Sequence, residues 1–296
     1  MGPERRQAVR ILFTPSASAT RAWSLVPLAW ACRADGHEVR FAAEPHVAET
    51  VDRCALPAVP VGPAAVARDL LSFAEWWRPD VVVADPWFSP APTLAGTLGV
   101  PMVRHLCGPN DVPAAPDRAA FTVDPFPPSL QVPGLADRVT MRWIPFHGAA
   151  ELPGWLAEPP KRPRVCVTGQ STLDLVDGLA ELDVEVVPVA GLPLDLLLPF
   201  CSAVVSRGGA SDVLTAAAYG VPQVVLAGRA EAGLLAATGA GVCLDADPEP
   251  AEMTAAVTAV LFEDGPRAAA RRLRAEILAQ PAPRQVVTRL AALAAG

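Results

Sequence analysis

The sequence predicts an α/β fold in which two Rossmann-like domains carry parallel sheets that face a central cleft. Short apolar runs alternate with helix-like stretches in both halves of the chain, a rhythm typical of a parallel sheet covered by helices. A proline-dense stretch, residues 108–164, separates the two halves. With 296 residues, of which 51% are hydrophobic, the chain can form two cores of ordinary size.

The first half is predicted to open with a buried strand and then to alternate helices and strands. Its apolar runs are rich in valine and continuous, which indicates strands that are buried on both faces. Gly36 and Gly99 follow two of the helix-like stretches, where glycine favours a helix end. The predicted strands are residues 9–13, 38–42, 81–84 and 100–106, and the predicted helices are 23–35, 45–54, 70–77 and 90–98.

The proline-dense stretch is predicted to be loop and linker rather than core. It contains DVPAAP, DPFPPSL, QVPG, ELPGW and EPPKRP, and proline lacks the N–H that helices and central strands need. We therefore expect a first domain with its linker at residues 1–150 and a second domain at residues 151–296.

The second half repeats the alternation and ends in helices. Ligands of such sheets bind at the carboxyl ends of the strands, so two sheets that face each other would place a binding cleft between them. The predicted strands are residues 164–168, 184–189, 203–206, 221–227 and 241–244. The predicted helices are residues 173–182, 194–198, 212–219, 230–238, 250–262, 266–280 and 284–295.

Composition excludes several classes of protein. The net charge of −7 argues against a nucleic-acid partner, because such proteins normally carry a basic stripe. No apolar run reaches the length of a membrane span, and the first residues lack the pattern of a signal peptide. The six cysteines are widely spaced without a CxxC pair, so no metal site is expected. We expect a soluble, cytoplasmic protein.

The loop at residues 206–211 is a candidate phosphate site. It follows a predicted strand and opens a helix, so its free backbone amides favour an anion, and glycine lets a ligand approach the backbone. A tight turn that packs a helix on a strand is the alternative. A second loop at residues 168–172 ends the neighbouring strand. The predicted phosphate-binding residues are Ser171, Arg207, Gly208, Gly209, Ala210 and Ser211.

Five segments together resemble the antibiotic and macrolide type of glycosyltransferase with the GT-B fold. They cover most of the chain: residues 24–45, 70–109, 122–134, 141–168 and 201–228, the last reading CSAVVSRGGASDVLTAAAYGVPQVVLAG. The resemblance implies an acceptor-type first domain and a nucleotide-sugar-type second domain. It also implies transfer of a sugar from a nucleoside-diphosphate (NDP) sugar to a polyketide-like aglycone, with the NDP-sugar as a co-substrate and no permanently bound cofactor.

The sequence departs from that family at several functional positions. The family's base, a histidine after the first strand, is matched by Arg21, and a guanidinium cannot accept a proton. The family's His-His-Gly-Gly is matched by SRGG at residues 206–209, and Glu231 is the acid nearest to the expected acid-amide pair that holds the sugar. The chain is also shorter than the family near residues 61–67 and 110–121, and after the strands that end near residues 189 and 227.

The candidate catalytic residues are Arg21, Asp85 and His105. Asp85 ends a strand before Pro86, where it would face the cleft or cap a loop. His105 ends the next strand, and a buried core histidine is the alternative. Aromatic rings beside the predicted loops suit a flat apolar substrate, although core packing accounts for them equally well. The candidate substrate-binding residues are Trp23, Trp87, Phe88, Trp143 and His147.

Three functions follow from this pattern. The first is glycosyl transfer to an aromatic or polyketide-like small molecule. The second is a repurposed fold that catalyses a cyclisation, dehydration or rearrangement, because the base and the sugar clamp are altered together. The third is a non-catalytic partner of an intact glycosyltransferase. We also expect either a homodimer or such a partner complex.

Overall fold

The computed structural model describes residues 8–62, 66–111, 118–168, 179, 181–189, 191–226 and 230–295. Two sheets dominate these ranges, and each described strand pairing is parallel. Helices cover the sheets, so the predicted α/β fold with two parallel sheets is confirmed.

The first sheet has seven strands in the order β3-β2-β1-β4-β5-β6-β7. Its strands are β1 (Arg10–Thr14), β2 (Glu38–Ala43), β3 (Ala58–Pro60), β4 (Val81–Ala84), β5 (Met102–His105), β6 (Ala119–Asp124) and β7 (Arg138–Thr140). The helices of this unit are α1 (Ala19–Ala34), α2 (Pro45–Asp52), α3 (Val66–Trp77) and α4 (Ala91–Leu98). The central strand β1 is buried on both faces, and Phe13 stacks on Phe41 of β2 with ring centroids 5.0 Å apart.

The proline-dense stretch is not wholly loop, and that part of the linker prediction is wrong. It supplies β6 and β7 to the first sheet, with Thr122 opposite Arg138. The prolines flank these strands rather than interrupt them, so the backbone N–H groups that the ladder needs are present. The high proline content of the whole stretch obscured the short apolar run that forms β6. The three-residue strand β3 was also missed.

The second sheet has five strands in the order β12-β11-β10-β8-β9. Its strands are β8 (Arg164–Val167), β9 (Glu185–Pro188), β10 (Ala203–Ser206), β11 (Gln223–Leu226) and β12 (Gly241–Leu244). The described helices are α5 (Leu194–Leu197), α6 (Ala210–Tyr219), α7 (Ala230–Thr238), α8 (Pro250–Phe262), α9 (Asp264–Ala279) and α10 (Pro283–Ala294). The helix predicted at residues 173–182 lies almost entirely outside the described residues.

Two features hold the units together. Trp143, from the segment between β7 and β8, is buried in one core cluster with Val213 and Leu214 of α6. The last helix, α10, returns to the first unit, where Val287 and Leu290 pack in the same cluster as α1. The chain therefore crosses between the units twice, and the predicted boundary at residues 150 and 151 stays a prediction.

Within the described ranges, the structure contains no helix that is long and apolar enough to cross a membrane.

Candidate active site

A cleft of about 600 Å³ lies where the carboxyl ends of the two sheets face each other. Loops after β1, β4 and β5 line it from the first unit, and the starts of α6 and α7 line it from the second. This is the position at which parallel sheets bind their ligands. Of the described residues, the cleft lining carries one cation, Arg21, and three carboxylates, which are Asp111, Asp212 and Glu231.

Arg21 is held by two carboxylates on the first-unit wall. Its Nε and Nη2 atoms donate to the two oxygens of Asp85 at 2.7 and 2.5 Å, which is the bidentate geometry that guanidinium favours. Nη2 also donates to Asp111 Oδ2 at 2.6 Å. Burial disfavours the charged guanidinium, but the hydrogen bonds and charge of its partners outweigh this and raise the pKa of Arg21. Arg21 therefore orders this wall and cannot replace a catalytic base.

Asp85 is also unsuited to accept a proton. It is fully buried, and Oδ2 accepts further hydrogen bonds from the backbone N–H and hydroxyl of Ser16, at 3.1 and 2.6 Å. The backbone N–H of Trp87 donates to Oδ1 at 3.0 Å. Burial alone would raise the pKa of Asp85, but the hydrogen bonds and charge of Arg21 dominate and lower it. The carboxylate is thus fixed in its charged form.

His105 lies beneath the cleft rather than in it. The side chain is fully buried, and its Nδ1 lies 3.0 Å from the carbonyl oxygen of Leu106. Burial lowers the pKa of His105 to about 4, so the ring is neutral at physiological pH. Of the described residues none partners Nε2, and none of the atoms that line the cleft belong to His105. A bound substrate would not reach this ring without a rearrangement of the sheet edge.

The five candidate substrate-binding side chains occupy different environments. Trp87 lines the cleft with 70% of its surface exposed, and its Nε1 donates to Asp111 at 2.7 Å. Phe88 and Trp143 are buried in hydrophobic core clusters, so core packing accounts for these two side chains. Trp23 is half-buried and meets the ring of His147 edge-on, with centroids 6.1 Å apart.

The glycine loop adopts a conformation that its sequence requires. Gly208 has φ +70°, and a Cβ there would lie 2.5 Å from Val225 Cγ1. Gly209 is the N-cap of α6 and offers no side chain to the first-turn amides, which therefore remain available to a ligand. Arg207 is exposed beside the loop and pairs with no described residue. Ser171, the other predicted phosphate contact, lies outside the described residues.

Ser211 belongs to a hydrogen-bonded chain that the sequence did not predict. Its Oγ lies 2.9 Å from His147 Nε2, and His147 Nδ1 lies 3.0 Å from Asp195 Oδ1. Ser211 is in the first turn of α6, Asp195 is in α5, and His147 is in the segment that joins the two sheets. The three residues are 64 and 48 positions apart along the chain, so no local motif reveals them.

Two carboxylates that were not among the candidate site residues predicted from the sequence also line the cleft. Asp212 lies in the first turn of α6 and accepts a hydrogen bond from Thr168 Oγ1 at 3.2 Å. Burial raises the pKa of Asp212, and the nearby His147 and Thr168 offset this only in part. Glu231, in the first turn of α7, has no partner among the described residues. The sequence signal that could have identified Asp212 is an acidic residue in the first turn of a helix that follows a glycine loop.

Two Rossmann-like units, with a glycine loop and a helix start opening into the cleft between them, define the GT-B class of glycosyltransferase fold. Residues 63–170 match the N-terminal domain model of the erythromycin biosynthesis protein CIII-like family, and residues 172–293 match its C-terminal domain model. The chain belongs to this family. The predicted resemblance to antibiotic glycosyltransferases and the GT-B fold are both confirmed.

Relatives of known function are sugar transferases of antibiotic biosynthesis. Tylactone mycaminosyltransferase of Streptomyces fradiae is 30% identical, with 99% of this chain and 94% of the relative aligned. The TDP-daunosamine transferase of Streptomyces peucetius is also 30% identical, with 97% of each chain aligned. The solved structure of spinosyn forosaminyltransferase superposes with a TM-score of 0.89 at 31% identity, over 98% of this chain and 100% of that one.

These relatives support the first predicted function, glycosyl transfer to an aglycone, and favour neither alternative. The alignment with the tylactone enzyme extends over 428 positions, many more than the 296 residues of this chain. The relative therefore has internal segments that this chain lacks, in agreement with the prediction that several segments of this chain are shorter than in the family. Homodimerisation and a partner glycosyltransferase stay predictions.

Proposed function

We propose that this protein transfers a sugar from an NDP-sugar to a polyketide-like aglycone in the cleft between its two sheets. The observation that carries the proposal is the glycine loop at residues 206–209, whose following helix opens into the cleft with no side chain capping its first-turn amides. Such amides bind phosphate oxygens. The exposed guanidinium of Arg207 supplies a further cation beside the same loop.

The aglycone is proposed to lie on the first-unit wall. Trp87 offers a large exposed ring at the cleft, and its position is fixed from below by the hydrogen bond to Asp111. A rigid aromatic side chain of this kind binds a flat apolar ligand at little cost in conformational entropy.

The sugar is proposed to be cationic, as in an amino sugar. Asp111, Asp212 and Glu231 outnumber Arg21 in the described lining, and this negative charge attracts a protonated amine on the sugar. One relative is named as a TDP-daunosamine transferase. A neutral deoxysugar would leave this charge uncompensated.

The reaction is proposed to be a direct displacement at the anomeric carbon. The acceptor oxygen attacks, the bond to the diphosphate breaks, and negative charge grows on the diphosphate. The first-turn amides of α6 stabilise that charge. The acceptor hydroxyl must lose its proton, and neither Arg21 nor Asp85 can accept it, as their fixed ion pair shows.

Product formation tests the proposal. Purified protein is incubated with TDP-amino sugars, or with matched neutral TDP-deoxysugars, and a panel of macrolactone and anthracyclinone aglycones, and products are identified by mass spectrometry. We expect a glycoside from the amino-sugar donors in preference to the neutral ones. Glu231→Gln should reduce the ratio of product from amino-sugar donors to product from neutral donors, because it removes one negative charge from the lining. Absence of product from every donor and aglycone pair would contradict the proposed function.

A further inference from the structure

The proposed transfer needs a proton acceptor within hydrogen-bond reach of the attacking acceptor hydroxyl. Asp111 is paired with Arg21 and Trp87, and His105 is enclosed below the sheet edge. Glu231 is a carboxylate, which is a weaker base than an imidazole near neutral pH. Asp212 also lines the cleft, but it too is a carboxylate, which is in general a weaker base than an imidazole. Among the described residues, the chain formed by Ser211, His147 and Asp195 joins an imidazole to a residue of the cleft lining, Ser211.

The hydrogen bonds of this chain fix the tautomer of His147. An ionised carboxylate only accepts hydrogen bonds, so His147 Nδ1 carries a proton and donates it to Asp195 Oδ1 at 3.0 Å. In the neutral ring Nε2 is then an acceptor, and it receives the Ser211 hydroxyl at 2.9 Å. This is the arrangement in which an imidazole withdraws a proton from a serine while a carboxylate stabilises the resulting imidazolium.

The surroundings hold the imidazole in place. Trp23 of α1 packs edge-on against it, and Gly148, with φ +93°, directs the chain past the same indole. The charged groups that face His147 are Asp195 from α5 and Asp212 from α6. Asp195 accepts the hydrogen bond of Nδ1 and so holds the ring with Nε2 directed at Ser211.

We propose that Ser211 and His147 are the proton relay of the glycosyl transfer, with Asp195 as the positioning residue. This inference rests on the proposed function and names the base that the function requires. Ser211 is among the residues that line the cleft and lies directly after the glycine loop, so we expect an acceptor hydroxyl to donate to its Oγ while the diphosphate occupies the amides of α6.

Protons and electron pairs balance in this scheme. The acceptor oxygen forms its bond to the anomeric carbon, and the diphosphate leaves with the electron pair of the bond that breaks. The acceptor proton passes to Ser211 Oγ, and the Ser211 hydroxyl proton passes to His147 Nε2. The imidazolium is stabilised by Asp195 and returns its proton to solvent after the products depart.

The test compares His147→Gln with a matched control, His46→Gln. His46 is an exposed histidine of α2, with 61% of its side chain accessible, so its replacement should leave the rate unchanged. For His147→Gln we expect kcat about 100-fold lower, which is the usual size of a general-base contribution. The affinity for thymidine diphosphate, measured by calorimetry, should change less than about twofold, since one structural contact is replaced by another.

A split between kcat and KM separates a relay from a merely structural hydrogen bond. A relay acts on the chemical step, so His147→Gln should lower kcat and leave the KM values for donor and aglycone unchanged. Asp195→Asn should lower kcat about tenfold in the same way, because the positioning partner loses its charge. An equal kcat in the folded His147→Gln variant and the wild type would overturn the relay and leave the proposed function standing.

A turnover-independent measurement keeps the two proposals distinguishable. Wild-type protein is treated with a fluorophosphonate, which reacts with activated serines, and the modified residue is located by peptide mass spectrometry. We expect label on Ser211 in the wild type and none in His147→Gln. Failure of the wild type to bind thymidine diphosphate would overturn the proposed function, and an unlabelled Ser211 would overturn the relay.

Discussion

The two walls of the cleft differ in whether their charged and polar groups have partners within the described part of the protein. On the first-unit wall, Arg21 is paired with Asp85 and Asp111, so its charge is used within the protein. On the second-unit wall, the first-turn amides of α6 have no side-chain cap, and Glu231 has no described partner. We therefore propose that the first wall is a fixed platform, and that the second wall is where the charge of the donor diphosphate is neutralised and the acceptor proton is transferred.

The largest expected effect comes from breaking the platform. Arg21→Met removes the partner of two carboxylates, of which Asp85 is fully buried, and should lower the free energy of unfolding by about 3 kcal/mol. Urea unfolding measures this loss. The double variant Arg21→Met with Asp85→Asn removes one of the stranded charges and should recover part of it. An Arg21→Met protein as stable as the wild type would contradict the platform role.

The same pair predicts a pH dependence of stability. Because the folded-state pKa of Asp85 is lower than its pKa in the unfolded chain, the unfolded chain binds this proton more readily. The stabilisation from Asp85 is therefore complete above its unfolded pKa and is lost as the pH falls through the lower, folded value. Urea unfolding at several pH values should show this acid loss in the wild type and a smaller one in Asp85→Asn.

Gly208→Ala is expected to have the next largest effect, and on the opposite wall. The added Cβ would lie 2.5 Å from Val225 Cγ1 at a positive φ, so stability should fall by about 2 kcal/mol and nucleotide binding should be lost. Gly209→Ala is the matched control, because the atom nearest to its added Cβ is 3.8 Å away and its φ is −61°. Equal effects at both positions would remove the special role of Gly208.

Asp212→Asn should strengthen nucleotide binding. The carboxylate lies in the first turn of α6, where it competes with a phosphate for the same helix start. Removing its charge should raise the affinity for thymidine diphosphate about tenfold, as measured by calorimetry. The gain should shrink as the pH falls, because the raised pKa of Asp212 means that it is already partly neutral there. A weaker complex would show that Asp212 itself helps to bind the donor.

Trp87→Ala is the smallest change expected. Since 70% of Trp87 is exposed, stability should fall by less than about 1 kcal/mol, while the KM for the aglycone should rise about fivefold. Trp76 is equally exposed but lies outside the described cleft lining, so Trp76→Ala should leave KM unchanged. An equal rise of the KM for the aglycone in both variants would contradict a specific role of Trp87 in binding it.

The fold was predictable where the strands carry continuous apolar runs and the helices end at glycine. β4 was predicted with the residues that it has, whereas β6 and β7 were hidden by the prolines around them. Proline excludes strand only where it stands within the ladder, so its density in a stretch is a poor guide.

The site was predictable only in part, for a physical reason. Arg21, Asp85 and Trp87 lie beside strand ends at one edge of the sheet, where the position of ligands in parallel sheets led us to expect them; Arg21 and Trp87 line the cleft, and Asp85 is buried behind Arg21. The hydrogen bonds between Ser211, His147 and Asp195 depend on how three distant segments pack. Likewise, the exclusion of His105 from the cleft depends on the depth of its strand end, which sequence does not encode locally.

The most direct test of the account is a calorimetric titration of the wild-type protein and of Gly208→Ala with thymidine diphosphate. If the second-unit wall neutralises ligand charge, the wild type should bind with micromolar affinity and Gly208→Ala should bind at least about 100-fold more weakly. Absence of binding by the wild type at millimolar concentration would contradict the account, because the glycine loop and the start of α6 would then not form a donor site.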